Sequence, residues 1–301
     1  MRPIRVAVLP LLAVLIAGCG AAAPSSSPAG ATPTPPPPTP VVPLPSSVAP
    51  VGLGYWLRMT TSQAIPPIQR FSVAPTSLIT ADGRYLVPGA IPMIYPGPLV
   101  TPLFARQLSD AGREQIVGWA KELGLLDGNT DFTGAGAGPG GVTGTIELTV
   151  DGTLAKLTGV PEAATDASPA PGSPAAFTEL WRRVASLPDT LPGELGPEQP
   201  YEPDGYALLV GPPPVPPQGL KGNLQDWPLD APLATFGRPV ADGSVRCGSV
   251  FGEDAAALDH SFENANQLSQ WVQDADANAT FGLTVRSIVA GEDPCAEAFG
   301  P

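Results

Sequence analysis

The position of the prolines is the strongest constraint on how this chain can fold. The chain has 301 residues, 41 of them proline. Proline lacks a backbone N–H and fixes φ, so long helices and central strands exclude it. Eleven prolines fall in Ala21–Pro50, an uncharged stretch rich in Ala, Ser and Thr. Such a stretch cannot fold by itself and favours extended polyproline II. The sequence predicts a disordered stalk over residues 19–54, with a Pro-rich ligand for a partner domain as the alternative.

The overall composition excludes several classes of protein. A net charge of -13 argues against nucleic acid as a partner, because phosphate binding needs clustered Lys and Arg. A single histidine excludes a His-rich metal site within one chain. Hydrophobic residues make up 43% of the chain, which is enough to bury a core. A folded body is therefore expected after the stalk, with no cofactor.

The N-terminus has the pattern of an export signal. Met1–Arg5 carries two arginines and no acid, and the apolar run Val6–Ala17 is too short to span a bilayer. Small residues follow, so residues 1–18 are predicted to be a signal peptide. Its end, Leu15-Ile16-Ala17-Gly18-Cys19, resembles the bacterial lipoprotein signal. That resemblance implies cleavage before Cys19, attachment of a diacylglyceryl group to its thiol, with palmitate as an acyl chain of the anchor, and a location on the outer face of the cell membrane. An ordinary signal peptide with an incidental cysteine is the alternative.

The two remaining cysteines are predicted to pair. Cys247 and Cys295 lie 48 residues apart, and an exported chain reaches an oxidising compartment. A disulfide would tie the C-terminal tail to an internal strand. Two free thiols or a metal pair are the alternatives.

The body shows the same local pattern twice. Asp82-Gly83 and Asp151-Gly152 each separate β-rich runs, which predicts two hairpins. Ser109 and Ser173 then begin amphipathic helices as N-caps. Each helix carries one tryptophan on its apolar face, where packing is the usual role. Residues 55–190 are therefore predicted to form one domain of two ββα-like units.

Residues 191–301 have a different pattern. Strands are predicted at Tyr206–Val210, Val245–Phe251 and Thr280–Val289, and helices at Asp254–Ala265 and Gln267–Asp274. This gives a strand-helix-strand unit closed by the disulfide. The whole fold is predicted to be α+β, with antiparallel hairpins each followed by an amphipathic helix.

Several short runs carry a family resemblance. They are Phe71–Gly89, Leu108-Ser109, Gly124-Leu125-Leu126, Ile146–Gly159, Trp227-Pro228-Leu229, Arg246-Cys247-Gly248, Ala265-Asn266-Gln267-Leu268 and Thr284-Val285-Arg286. On these runs the chain resembles uncharacterised exported lipoproteins of high-GC Gram-positive bacteria over most of its mature length. The family carries no assigned activity, so the resemblance implies a cell-surface location and nothing about chemistry.

The search for chemistry finds few candidates. His260 is the only imidazole, and its neighbours Asp259 and Ser261 cannot form a triad directly, because triad members converge from separate segments. The acids Glu253, Asp254, Asp259 and Glu263 could form a catalytic pair or bind calcium, although a solvated acidic face is the simpler interpretation. The sequence favours a non-enzymatic binding module for a surface protein or small ligand. The alternative is a hydrolase of cell-wall or secreted substrates that uses His260 or an acidic pair.

Overall fold

The computed structural model describes most of the predicted body. The described residues are 54–62, 65–90, 94–128, 130–133, 141–162, 169–273, 279–289 and 291–300. All of them belong to one compact unit, Pro43–Pro301. The predicted signal peptide, Cys19 and nearly all of the stalk lie outside the described residues.

The described elements form two sheets with helices. The strands are β1 Tyr55–Ser62, β2 Ser77–Thr80, β3 Arg84–Pro88, β4 Leu103–Gln107, β5 Asp131–Phe132, β6 Thr143–Val150, β7 Thr153–Gly159, β8 Gln199–Pro200, β9 Gly205–Gly211, β10 Leu224–Asp226, β11 Arg238–Val240, β12 Val245–Phe251, β13 Gln270–Val272 and β14 Thr280–Ile288. The helices are α1 Pro67–Phe71, α2 Asp110–Glu122, α3 Pro174–Ala185, α4 Leu187–Thr190, α5 Gly252–Glu263 and α6 Pro294–Phe299. The predicted α+β class with antiparallel hairpins is confirmed.

Both predicted hairpins belong to one sheet. This first sheet has eight strands in the order β5-β7-β6-β1-β2-β3-β4-β8, all antiparallel except the β5–β7 pair. The turns at Asp82-Gly83 and Asp151-Gly152 contain glycines with positive φ, which glycine adopts without steric cost. Between the first hairpin and its helix, the chain adds β4 to the sheet.

The two predicted amphipathic helices cover one face of the first sheet. Ser109 Oγ accepts a hydrogen bond from the Gly112 N–H at 3.0 Å, and Ser173 Oγ accepts one from Ala176 at 3.2 Å. These bonds satisfy N–H groups that a helix start leaves free. The core beneath α2 and α3 includes Trp119 and Trp181. The interpretation of both tryptophans as core residues agrees with this packing.

A glycine pair allows α3 to approach the sheet closely. Gly144 of β6 lies opposite Gly159 of β7. A Cβ on Gly159 would lie 2.3 Å from a ring carbon of Phe177, and one on Gly144 would lie 2.5 Å from the Trp181 ring. The two aromatic rings therefore rest directly on the strand backbone, at a distance that any larger residue would prevent.

The second sheet holds the C-terminal strands. Its six strands run in the order β10-β13-β14-β9-β12-β11, and α5 packs on one face over Tyr206, Leu208 and Val210. Phe262 of α5 and Trp271 of β13 meet edge to face, with ring centroids 5.8 Å apart. The predicted strands around β9, β12 and β14 are all present.

The predicted helix at Gln267–Asp274 is wrong. Residues 270–272 form strand β13, which pairs in parallel with β10. The preceding segment is a turn with two side-chain hydrogen bonds of 2.8 Å. Asn266 Oδ1 accepts one from the Leu268 N–H, and Ser269 Oγ accepts the other from the Asn266 N–H. Side-chain bonds of this kind compete with helix formation, and the apolar positions Leu268, Trp271 and Val272 fit a buried strand as well as a helix face.

The predicted disulfide is confirmed. Cys247, in the middle of β12, is bonded to Cys295 of α6. Cys295 and Ala298 pack with Phe71 of α1 and Leu209 of β9 on the face of the second sheet opposite α5. The disulfide therefore holds the C-terminal helix against the second sheet, as the cysteine spacing predicts.

The predicted division at residue 190 falls between the strands of the two sheets, with one exception. Strand β8, at residues 199–200, pairs with β4 of the first sheet. Two separate domains therefore stay a prediction. Among the described residues, no helix is long and apolar enough to cross a membrane.

Candidate functional site

An apolar cavity of about 360 Å³ lies between the two sheets. The first sheet contributes Leu78 and Leu86, and the second sheet contributes Leu283 and Val285. The loop before β4 closes another side. Further residues that line this cleft cavity are Ser72, Ala74, Pro75, Val87, Pro88, Pro98, Leu99, Thr101, Leu103, Gln267, Thr284, Arg286, Ser287, Val289 and Glu292.

The cavity lies beside an open edge of the second sheet. Strand β13 pairs with β14 only at Thr280, Phe281 and Gly282. Beyond Gly282, the part of the chain that the structure describes supplies no further strand on that side of β14. Residues 283–287 line the cavity there. The cavity therefore lies along the part of β14 that β13 does not pair with.

One end of the cleft cavity is polar. Arg286 Nη2 donates a hydrogen bond of 2.6 Å to Glu292 Oε1, and Arg286 Nη1 donates to the Phe71 carbonyl oxygen at 3.4 Å. Glu292 is only 3% exposed. Among the described residues, no group donates a hydrogen bond to Glu292 Oε2. Glu292 thus has a buried carboxylate oxygen that accepts no hydrogen bond from the described residues.

Arg58 connects this polar end to the first sheet. Its Nη2 donates to Glu297 Oε1 of α6 at 2.6 Å and to Glu292 Oε1 at 3.4 Å. On its own sheet Arg58 lies opposite Glu147, and their charged atoms are 4.0 Å apart. These ion pairs join β1 to the C-terminal segment, so the second sheet is held to the first by charge at this point.

A second, polar cavity of about 430 Å³ lies on the other side of these ion pairs. Glu147 lines it. The carboxylate of Glu147 accepts a hydrogen bond of 2.8 Å from the Tyr55 hydroxyl and lies 3.4 Å from the Lys156 ammonium. Three residues, Ala74, Pro75 and Arg286, line both cavities. Arg286 therefore lies between an apolar space and a polar one.

Burial changes the ionisation of the groups in this cluster. Removal from water raises the pKa of Glu292 to about 6, although the Arg286 guanidinium opposes the change. Burial lowers the pKa of Arg58, but the ion pairs with Glu297 and Glu292 outweigh it and keep that pKa above its usual value. Burial and the bond to Glu147 raise the pKa of Tyr55 to about 12. Burial thus moves the pKa of Glu292 toward neutral pH.

The structure places the sequence-predicted candidates away from both of these cavities. His260 lies on α5 with 87% of its side chain exposed, and its Nδ1 is 3.7 Å from Glu263. Neither it nor the acids Glu253, Asp254, Asp259 and Glu263 line the cleft cavity or the polar cavity. Asp259 accepts a hydrogen bond from the Tyr206 hydroxyl. No three or more His, Cys, Asp or Glu residues among those described are placed to hold a metal ion, so the calcium prediction gains no support.

Sequence reasoning missed the charged cluster. The alternation in Gly144–Val150 does place Glu147 on one face with Thr145 and Thr149, and that signal could have indicated an inward polar position. Arg58 and Glu292 are 234 residues apart in the chain. No local pattern marks them as partners, because only the packing of the two sheets brings them together.

Comparison with known proteins gives no match. No family profile matches the chain, and neither the curated proteins nor the solved structures include a significant match to it.

Proposed function

We propose that this protein is a lipid-anchored, non-enzymatic binding protein of the outer cell-membrane face, and that the cleft cavity is its ligand site. The observation that carries the proposal is a mostly apolar space of about 360 Å³ whose lining includes Arg286 and Glu292. Small-molecule sites are typically concave, mostly apolar and of about this size, with a few polar groups that orient the ligand. The resemblance to exported lipoproteins and the motif ending at Cys19 supply the proposed location.

Binding is tested with Nile red, a neutral apolar dye whose fluorescence rises when it leaves water. The probe would be titrated into the full chain carrying Cys19→Ala, which removes the lipid site. Leu86→Trp puts a larger side chain into the cavity and should abolish the fluorescence increase. Leu154→Trp is the matched control, since Leu154 is 38% exposed on β7 and lies outside the cleft cavity. Equal binding by both variants would contradict the proposed site.

The anchor is tested in cells that express the full chain. Cys19→Ala should move the protein from the membrane fraction and abolish labelling by a palmitate analogue, because lipid on this thiol is the proposed attachment. Two acyl chains or more hold a protein stably at a bilayer, whereas one holds it only marginally. Unchanged membrane retention of the variant would contradict the anchor.

The alternative, a hydrolase, has less support. A triad needs an imidazole that meets a nucleophile and an acid from separate segments. His260 instead lies 3.7 Å from Glu263, one turn along the same exposed helix surface. The acids suggested for a catalytic pair lie on or near α5 and outside the cleft. No geometry among the described residues favours this second function.

A further inference from the structure

The walls of the polar cavity carry polar groups that a ligand can reach. Thr60 of β1 and Thr145 of β6 lie opposite each other in the first sheet, and both are half-buried. Lys156 of β7 contributes an ammonium group, and 64% of its side chain is exposed. Arg70 of α1 lines the same cavity and is exposed. All four residues are therefore open to solvent, in full or in part.

Positive charge exceeds negative charge around this cavity, although the chain as a whole has a net charge of -13. The cations that line it are Arg58, Arg70, Lys156 and Arg286, and the acids that line it are Glu147 and Glu297. Glu292 does not line the cavity, but it pairs with two of these cations. Four cations then face three acids, which leaves one positive charge. A bound anion would offset that charge, whereas a bound cation would add to it.

The unused donors of the cavity belong to Arg70 and Lys156. Arg70 forms no ion pair with any residue that the structure describes, and its guanidinium donates only to the Ile65 carbonyl oxygen, at 3.4 Å. The Lys156 ammonium has three N–H donors and contacts Glu147 alone, at 3.4 Å. Both acids of the lining already have a cation, since Glu297 accepts 2.6 Å from Arg58. The cavity therefore lacks an acceptor.

Hydroxyl groups make the rest of the site polar. The hydroxyls of Thr60 and Thr145 have no hydrogen-bond partner within the described ranges, and Thr61 and Ser62 add two more hydroxyls to the lining. A hydroxyl can both donate and accept, so it can bind the hydroxyl of a ligand. The volume of about 430 Å³ is in the range of small-molecule sites. The space therefore suits an anion that has a hydroxylated body.

We propose that the polar cavity is a second binding site and that its ligand is a small phosphate ester with a hydroxylated body. The phosphate accepts hydrogen bonds from Arg70 and Lys156, and the hydroxyls of the ligand bind Thr60 and Thr145. A phosphate is preferred to a carboxylate because its oxygens can accept from groups on two separate elements, and arginine binds phosphate through paired charge-assisted hydrogen bonds. The site is separate from the cleft cavity, so this inference goes beyond the proposed function.

The test uses three probes with one hydroxylated body: glycerol 3-phosphate, glycerol and 3-amino-1,2-propanediol. Each is titrated calorimetrically into the full chain carrying Cys19→Ala at pH 7.5 and low salt. Glycerol 3-phosphate should bind at least tenfold more tightly than glycerol, and the amine should bind most weakly. Because salt screens exposed charges, the affinity for glycerol 3-phosphate should fall as sodium chloride is added.

Variants show whether the binding belongs to this cavity. Arg70→Gln and Lys156→Gln should each weaken glycerol 3-phosphate binding about tenfold, because each removes a charged donor. Arg182→Gln and Lys121→Gln are the matched controls, since they remove the same charges from exposed residues outside the cavity. Both controls should bind within twofold of the native chain. An unchanged melting temperature shows that the variants are folded.

The outcomes separate this inference from the proposed function. Equal affinity for glycerol 3-phosphate and glycerol, absence of binding by glycerol 3-phosphate, or equal losses in the cavity variants and the controls would each overturn it. Leu86→Trp fills the cleft cavity but does not touch the lining of the polar one, so glycerol 3-phosphate binding should stay within twofold. Loss of both Nile red and glycerol 3-phosphate binding in this variant would contradict two separate sites.

Discussion

One row of side chains crosses the face of the first sheet that is turned toward the second sheet. Half of the row is charged and half is apolar. On one side of β1 the row consists of Lys156, Glu147 and Arg58, and on the other side it continues with Leu78, Leu86 and Ala105. The charged half contacts the C-terminal helix through ion pairs. In the apolar half, Leu78 and Leu86 line the cleft cavity.

The difference between the halves shows how one interface can do two things. Ion pairs hold the sheets together at one end, where Arg58 meets Glu292 and Glu297 beside the polar cavity. At the other end the facing surfaces are apolar, and no described helix fills the gap beyond the short strand β13. The ion pairs of the charged half therefore fix the spacing of the sheets, and the space next to the apolar half is the cleft cavity.

Removing the disulfide should have the largest effect, and it should act on the charged half. The bond closes a loop of 48 residues, for which chain entropy gives about 4 kcal/mol of stability. Cys247→Ala with Cys295→Ala, or a reducing agent, should lower the melting temperature by roughly 10 °C in a body of this size. Hydrogen exchange should increase in residues 291–300 more than in β2–β4. An unchanged melting temperature would show that α6 is held by its other contacts alone.

Arg58→Leu is expected to lower the free energy of unfolding by about 3 kcal/mol, somewhat less than removal of the disulfide. The substitution leaves the buried carboxylate of Glu292 and the half-buried one of Glu297 without one of their cations, and breaking a buried pair from one side costs about 3–5 kcal/mol. The lower figure applies because 15% of the Arg58 side chain is exposed.

Denaturant unfolding measures this cost against a matched variant. Arg182→Leu removes an arginine that pairs with Glu179 on the helix surface and is 61% exposed, so it should cost under 1 kcal/mol. Similar losses in the two variants would mean that the charged half is no more important than an ordinary surface pair.

The next effect is a pH dependence of stability from Glu292. Burial raises its folded-state pKa to about 6 from the ordinary 4.5, so the folded protein binds the proton more tightly than the unfolded chain. The resulting stability is complete below pH 4.5 and is lost as the pH rises through 6, a change of about 2 kcal/mol. Unfolding free energies of the native chain and of Glu292→Gln, measured from pH 4.5 to 7.5, should therefore diverge over this window. Parallel curves would contradict the raised pKa.

Local patterns were enough to predict the layers of the fold and not enough to predict the row that crosses them. Each correct signal lies within one element or one chain closure. These signals are the turn at Asp151-Gly152, the helix caps Ser109 and Ser173, and the cysteine spacing. The helix predicted at Gln267–Asp274 is wrong because three apolar residues in eight fit both a helix and a strand, and only pairing with β10 decides between them. The contacts of Arg58 with Glu292 and Glu297 join residues more than 230 positions apart. They follow from how the sheets face each other, which no short window of sequence contains.

The smallest effect is expected for His260, whose charge lies outside both halves of the row. His260→Ala removes an 87% exposed side chain with one ion pair to Glu263 at 3.7 Å. Surface substitutions of this kind change stability by about 0.5 kcal/mol or less. Nile red affinity should also stay within twofold of the native value, because His260 does not line the cleft cavity. A large loss of binding would connect α5 to the ligand site and would mean that the apolar half of the row does not define that site alone.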